Sequence, residues 1–102
     1  MLAATLAALS SRGGFPPLRF AVIVAGRKPR AAALQSLFDT AIAVPSLHVW
    51  GEADKLSRVA AEALTSHFDP ATREVVRWPG PHVIPTRGPA ADAIVDFIRR
   101  HA

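Results

Sequence analysis

The stretch Leu18-Arg19-Phe20-Ala21-Val22-Ile23-Val24-Ala25 constrains this chain more than any other. It is apolar apart from Arg19 and closes on Gly26. A continuous apolar run of strand length reads as a strand covered on both faces, which is the habit of parallel sheets. It is far too short to span a bilayer, which takes roughly 18 residues. Two more strand-length segments follow. Ser46 to Trp50 stops at Gly51, and Arg73 to Trp78 stops at Pro79-Gly80-Pro81. Parallel strands need long crossovers, so the segments between them should hold helices.

They do carry helical signals. Met1 to Arg12 is rich in Ala and Leu, good helix formers, and is apolar on nearly all sides. Gly13-Gly14 should end it, and Pro16-Pro17 should prevent re-entry. Ala31 to Phe38 reads as a short helix, and Pro45 holds Val44 extended ahead of the second strand. From Leu56 to Phe68 the spacing puts Leu56, Val59, Ala60, Ala63, Leu64 and His67 on one face. Asp69-Pro70 closes that helix. Pro89 suits the first turn of a last helix, with Ala91, Ile94, Val95 and Ile98 inward and Arg99, Arg100 and His101 at its C-terminal end. Strands alternating with helices imply right-handed crossovers and an α/β fold with a three-stranded parallel sheet.

Composition narrows the chemistry. There is no cysteine among the 102 residues, which removes a thiol nucleophile, a disulfide framework and cysteine-ligated zinc. The net charge is +4, but the cations are dispersed apart from Arg27-Lys28-Pro29-Arg30, and no nucleic-acid motif accompanies them. Neither a nucleic-acid nor a membrane partner is expected. Arg27, Lys28 and Arg30 read as a solvated loop. Residues 1–38 hold five cations and no acid, a composition shared with transit peptides, but the core strand that follows favours a buried Ala-rich helix.

Ligands of open parallel sheets bind beyond the carboxyl ends of the strands. Gly51-Glu52-Ala53-Asp54 and Pro79-Gly80-Pro81-His82 both lie there. Neighbouring strands are about 4.8 Å apart, so a carboxylate after one and an imidazole after the next can meet. Such a pair fixes the imidazole tautomer and stabilises the imidazolium formed on proton uptake. Two readings of Asp54 stand at this point, an N-cap for the helix that follows and the acid partner of His82. Glu52 reads as an exposed loop carboxylate, His48 as a packed core residue, and His67 and His101 as surface residues. A metal site from Glu52, Asp54 and His82 would be a weak pattern.

These motifs resemble one family. Gly51-Glu52-Ala53-Asp54, then Gly80-Pro81-His82-Val83-Ile84-Pro85 with the histidine 28 residues after the aspartate, are similar to the Gly-Glu-x-Asp and Gly-Gly-His-x-x-Pro segments of FSH-type serine hydrolases, a branch of the α/β-hydrolases. Ala25 to Arg30 resembles that family's Ser-Gly-Phe-Arg-Pro segment, and Val44 to Val49 the lead-in to its acid. The resemblance implies that Asp54 is the triad acid and His82 the general base, in the chain order of α/β-hydrolases. It implies hydrolysis of a small carboxylic ester without a cofactor or metal, mostly in the cytoplasm; the N-terminal composition leaves mitochondria as the alternative. Pro81 departs from the family glycine and should stiffen the loop.

The family nucleophile sits in a Gly-x-Ser-x-Gly elbow, and no such motif occurs in residues 1–102. Ser10 and Ser11 end a helix and lack flanking glycines. The expectation is therefore the C-terminal portion of a single hydrolase domain, residues 1–102, a parallel three-stranded partial α/β-hydrolase sheet flanked by helices. Alone it should be inactive and should self-associate through the open edge of its first strand. The alternative is a non-catalytic α/β interaction module on the same scaffold.

Overall fold

In the computed structural model the described residues are 2–13 and 17–102. Met1, Gly14 and Pro16, which entered the reading of the first helix and its stop, lie outside them. The element order is α1 (Leu2–Ser11), β1 (Ala21–Val24), a 3-10 helix (Ala32–Phe38), β2 (Ser46–Gly51), α2 (Arg58–Thr65), β3 (Arg73–Trp78) and α3 (Gly88–His101). The strands form one parallel sheet in the order β1-β2-β3. Val24 sits beside Val49 and Gly51 beside Trp78, so all three strands end on the same side.

The central strand explains itself: every residue of β2 is buried. Its side chains alternate between two apolar layers. One layer joins Ala21 and Ile23 to Ala4, Ala7 and Ala8 of α1, Phe38 of the 3-10 helix and Leu64 of α2. The other joins Leu47 and Val49 to Phe97 of α3, with Phe20, Val22, Val24, Val76 and Trp78 around it. The central strand is thus covered on both faces, whereas β3 has no buried residue and leaves Val75 and Arg77 exposed. Phe97 is fully buried and meets Phe20 edge-on, with ring centroids 5.9 Å apart. Truncating a buried phenylalanine of this kind to alanine costs about 3–5 kcal/mol.

Several expectations need correction. α1 buries a stripe of alanines, not its whole circumference; Leu2 is exposed. β1 proper is the four residues Ala21–Val24, inside the longer run read from sequence. α2 begins only at Arg58, and Leu56 and Val59 are exposed. Its buried face is Ala61, Leu64 and Thr65, continued by Phe68. Thr65 is tolerated there because its hydroxyl donates to the Ala61 carbonyl at 2.9 Å. On α3 the buried residues are Ala90 and Phe97, whereas Val95 and Ile98 are exposed.

Polar contacts fix the ends of these elements. The Arg73 guanidinium donates to the Thr65 and Phe68 carbonyls, at 3.2 and 3.0 Å, and so satisfies acceptors at the end of α2. Arg100 grips Glu74 of β3 with two bonds of 2.8 and 2.9 Å and Asp96 with a third, which clamps the end of α3 to the sheet. His67 and His101 are partly buried, not free on the surface. His67 lies within 3.2 Å of the Phe38 carbonyl, and His101 stacks on Phe97.

Candidate active site

The three loops at the carboxyl ends of the strands converge. The closest approach is backbone on backbone. A Cβ placed on Gly51 would fall 1.9 Å from the Gly80 carbonyl oxygen and 2.6 Å from that of Pro81. Only glycine permits this. The Ala53 N–H donates to the Gly80 carbonyl at 3.1 Å, and the Glu52 N–H donates to the Trp78 carbonyl at 2.7 Å. The loop after β2 is therefore stitched to the loop after β3. Gly80 also lies flat against the Trp78 indole, where a Cβ would come within 2.2 Å of the ring.

This stitching sets Asp54 against His82. The Nδ1 of His82 is 2.6 Å from Oδ2 of Asp54. The other carboxylate oxygen, Oδ1, accepts the Ser57 N–H at 3.0 Å, and the Asp54 carbonyl accepts the Arg58 N–H at 3.0 Å. The N-cap of α2 is Ser57, not Asp54, but both oxygens of the Asp54 carboxylate are engaged. One oxygen ties down the turn that leads into α2, and the other faces the imidazole. A carboxylate held at one oxygen has little freedom to rotate away from its partner.

The two side chains differ in exposure. That of Asp54 is 4% exposed and that of His82 is 64% exposed. Burial opposes ionisation of Asp54, but the His82 hydrogen bond, the Ser57 and Leu56 backbone bonds and the imidazole charge together outweigh it. They hold the carboxyl below its ordinary range. An ionised carboxylate only accepts, so Nδ1 of His82 carries the proton and donates it. In the neutral ring this leaves the Nε2 lone pair on an imidazole open to solvent, which is the tautomer a general base needs.

Beside His82 is a cavity of about 160 Å³, lined by Val24, Ala25, His82, Val83 and Ile84. Ala25 has φ +50°, the single left-handed non-glycine residue among those described. Its N–H still reaches the Val49 carbonyl at 2.7 Å. Backbone strain of this kind concentrates at functional sites. The sequence singled out this segment but not its conformation or the cavity, which depends on how β1 ends opposite the His82 loop.

The remaining candidates do not join the pair. Glu52 is exposed and sits 3.8 Å from both Arg58 and Arg77. His48 is buried near the opposite end of β2, with its Nε2 2.9 Å from the Ser46 hydroxyl and its ring edge-on to Phe68. Burial, reinforced by the Arg73 charge, lowers its pKa to about 4. Ser10 Oγ accepts the Leu18 N–H and Ser11 Oγ the Ala43 N–H, so both hold loops in place. No cluster of three metal-ligating side chains occurs among the described residues. None of the described helices is long and apolar enough to cross a membrane.

Comparison with known proteins identifies the family. Residues 1–94 match the serine hydrolase (FSH1) family. The human esterase OVCA2 is 33% identical over 99% of the chain, which corresponds to 45% of that protein. An esterase of Anopheles gambiae is 35% identical over 79% of the chain and 30% of its own length. The probable esterase azaC of Aspergillus niger is 30% identical over 82% of the chain and 34% of its own length. The chain thus spans less than half the length of these relatives. No solved structure matches it.

Proposed function

The chain belongs to the FSH1 serine hydrolase family, and from that premise we propose that it supplies the acid and base of a carboxylic-ester hydrolase whose nucleophile lies outside these 102 residues. The observation that carries the proposal is the 2.6 Å contact between His82 Nδ1 and a buried, backbone-anchored Asp54. The position at the carboxyl ends of a parallel sheet supports it.

The chemistry follows from the tautomer. A serine hydroxyl delivered to Nε2 of His82 gives up its proton there while its oxygen bonds to the ester carbonyl carbon. Asp54 stabilises the imidazolium across Nδ1. The tetrahedral adduct collapses, and His82 returns the proton to the departing alcohol. Water then enters and its oxygen bonds to the acyl carbon as His82 takes its proton; the second adduct collapses, the acyl–serine bond breaks, and His82 returns the proton to the serine oxygen, giving the carboxylic acid and the free serine. The small cavity formed by Val24, Ala25, Val83 and Ile84 offers an apolar wall for the non-reacting part of the ester. No step needs a metal or an organic cofactor.

By itself the 102-residue chain should show negligible esterase activity, because removing the nucleophile of such a triad costs about six decades of kcat. A serine-directed fluorophosphonate should leave it unlabelled. Stoichiometric labelling of a serine within residues 1–102 would overturn the assignment of the nucleophile.

The outer edge of β1, unpaired among the described residues, favours a second reading, a non-catalytic module that binds a partner through that edge. The 5′ end of the transcript separates the two. An in-frame Gly-x-Ser-x-Gly shortly upstream of the Met1 codon, after an apolar strand, supports the enzyme. An in-frame stop codon there puts the module first.

A further inference from the structure

A second and larger cavity, of about 400 Å³, opens on the α3 side of the sheet. It lies between the carboxyl end of β3 and the first turn of α3, walled by Val76, Trp78, Pro79, Pro89 and Ala90, with Arg87 also in its lining. It shares no lining residue with the cavity beside His82. Its volume falls within the roughly 300–1,000 Å³ of small-molecule sites, and its walls are apolar as such sites usually are.

The charged residues that line it have one sign. The lining includes two arginines and no acid. Arg77 is partly neutralised by Glu52, 3.8 Å away. Arg87 makes no hydrogen bond or ion pair with any described residue. It stands immediately before α3, whose first turn contains no acidic residue and whose N-cap makes no side-chain hydrogen bond. An apolar chamber next to an unpaired guanidinium suits a molecule with a hydrocarbon body and one anionic end. A guanidinium matches a carboxylate with two parallel donors.

We propose that this cavity is a second ligand site, for an amphipathic monocarboxylate whose chain fills the space between β3 and α3 and whose carboxylate pairs with Arg87. The site shares no lining residue with the cavity beside His82 and does not depend on the esterase reading.

The chain provides its own reporter. It has two tryptophans, Trp50 and Trp78, and only Trp78 lines the cavity. The indole N–H signals of the ¹⁵N-labelled chain, assigned with Trp78→Phe, are followed during titration with octanoate, 1-octanol and acetate. The expected result is a saturable shift of the Trp78 signal with octanoate and at least roughly tenfold weaker binding of 1-octanol, which has the same chain without the charge. Acetate, the charge without the chain, should also bind at least roughly tenfold more weakly. Arg87→Gln, an exposed change that leaves the walls intact, should weaken octanoate by a similar factor, and Arg99→Gln at the far end of α3 should not. Equal binding of octanoate and octanol, an unaltered affinity in Arg87→Gln, or no Trp78 shift at millimolar octanoate would each overturn the proposal.

Discussion

Asp54 divides its two oxygens between the Ser57 N–H and the His82 imidazole, and a single substitution separates the two contacts. In Asp54→Asn the amide oxygen can still accept the Ser57 N–H, so the turn into α2 should persist. The charge that holds the His82 Nδ1 proton is lost. We expect a strongly deshielded imidazole N–H resonance in the unaltered chain and its absence in Asp54→Asn; a resonance unchanged by the substitution would place that proton on another contact. His48 shows the opposite effect of environment on a histidine. Buried and lowered to about 4, it stays neutral in the folded chain while its unfolded counterpart, with an ordinary value of 6.5, takes up a proton. Between those two values the unfolded state binds more protons, so stability must fall as pH falls, by roughly 3 kcal/mol across the window. Urea unfolding at pH 7 and pH 4.5 should show this dependence, and His48→Gln, which keeps a hydrogen-bonding group for Ser46, should flatten it. Equal slopes in both proteins would mean that His48 is not the titrating group.

Among the elements, strands and their ends were legible because each is a strand-length segment with an apolar centre closed by glycine or proline, and the loops after those ends carry Asp54 and His82. Helix faces were less legible. The turn from Asp54 to Ser57 uses up Leu56, which displaces the start of α2 to Arg58 and leaves Leu56 almost fully exposed. The true inward face includes Thr65, a polar residue whose hydroxyl is hidden by its bond to Ala61. On α3 the small Ala90 and the aromatic Phe97 face inward, and the branched aliphatics Val95 and Ile98 do not. The contact of Gly51 with Gly80 could not be read at all, because two glycines far apart in sequence reveal nothing of their mutual distance. It is nevertheless what holds the two loops in register. Gly51→Ala should force the loops apart and destabilise the chain by about 1–3 kcal/mol, the usual cost of overpacking. The deshielded His82 proton should weaken or vanish with it. A folded Gly51→Ala chain with that resonance intact would show that the pair forms without the close approach.

At the scale of the molecule, the central strand is covered on both faces, but the sheet is open along its sides. β1 pairs only with β2 among the described residues, so one row of its backbone donors and acceptors is open to another strand. The chain alone should therefore self-associate, with a sedimentation coefficient that rises with concentration. A single monomeric species up to high concentration would contradict this. The same edge is where further sheet could continue in a longer polypeptide, and under the proposed function that polypeptide supplies the nucleophile to His82. Family membership was legible in the sequence because the acid and histidine segments survive in order and spacing; the origin of the nucleophile was not, because no Gly-x-Ser-x-Gly occurs in these residues. The most direct test is the rate of 4-nitrophenyl ester hydrolysis by the longest natural polypeptide that contains residues 1–102, compared with its His82→Ala variant. If His82 is the general base, the former turns over steadily and the latter has a kcat lower by about six decades. Turnover that survives His82→Ala, or none in the unaltered polypeptide, would contradict that role.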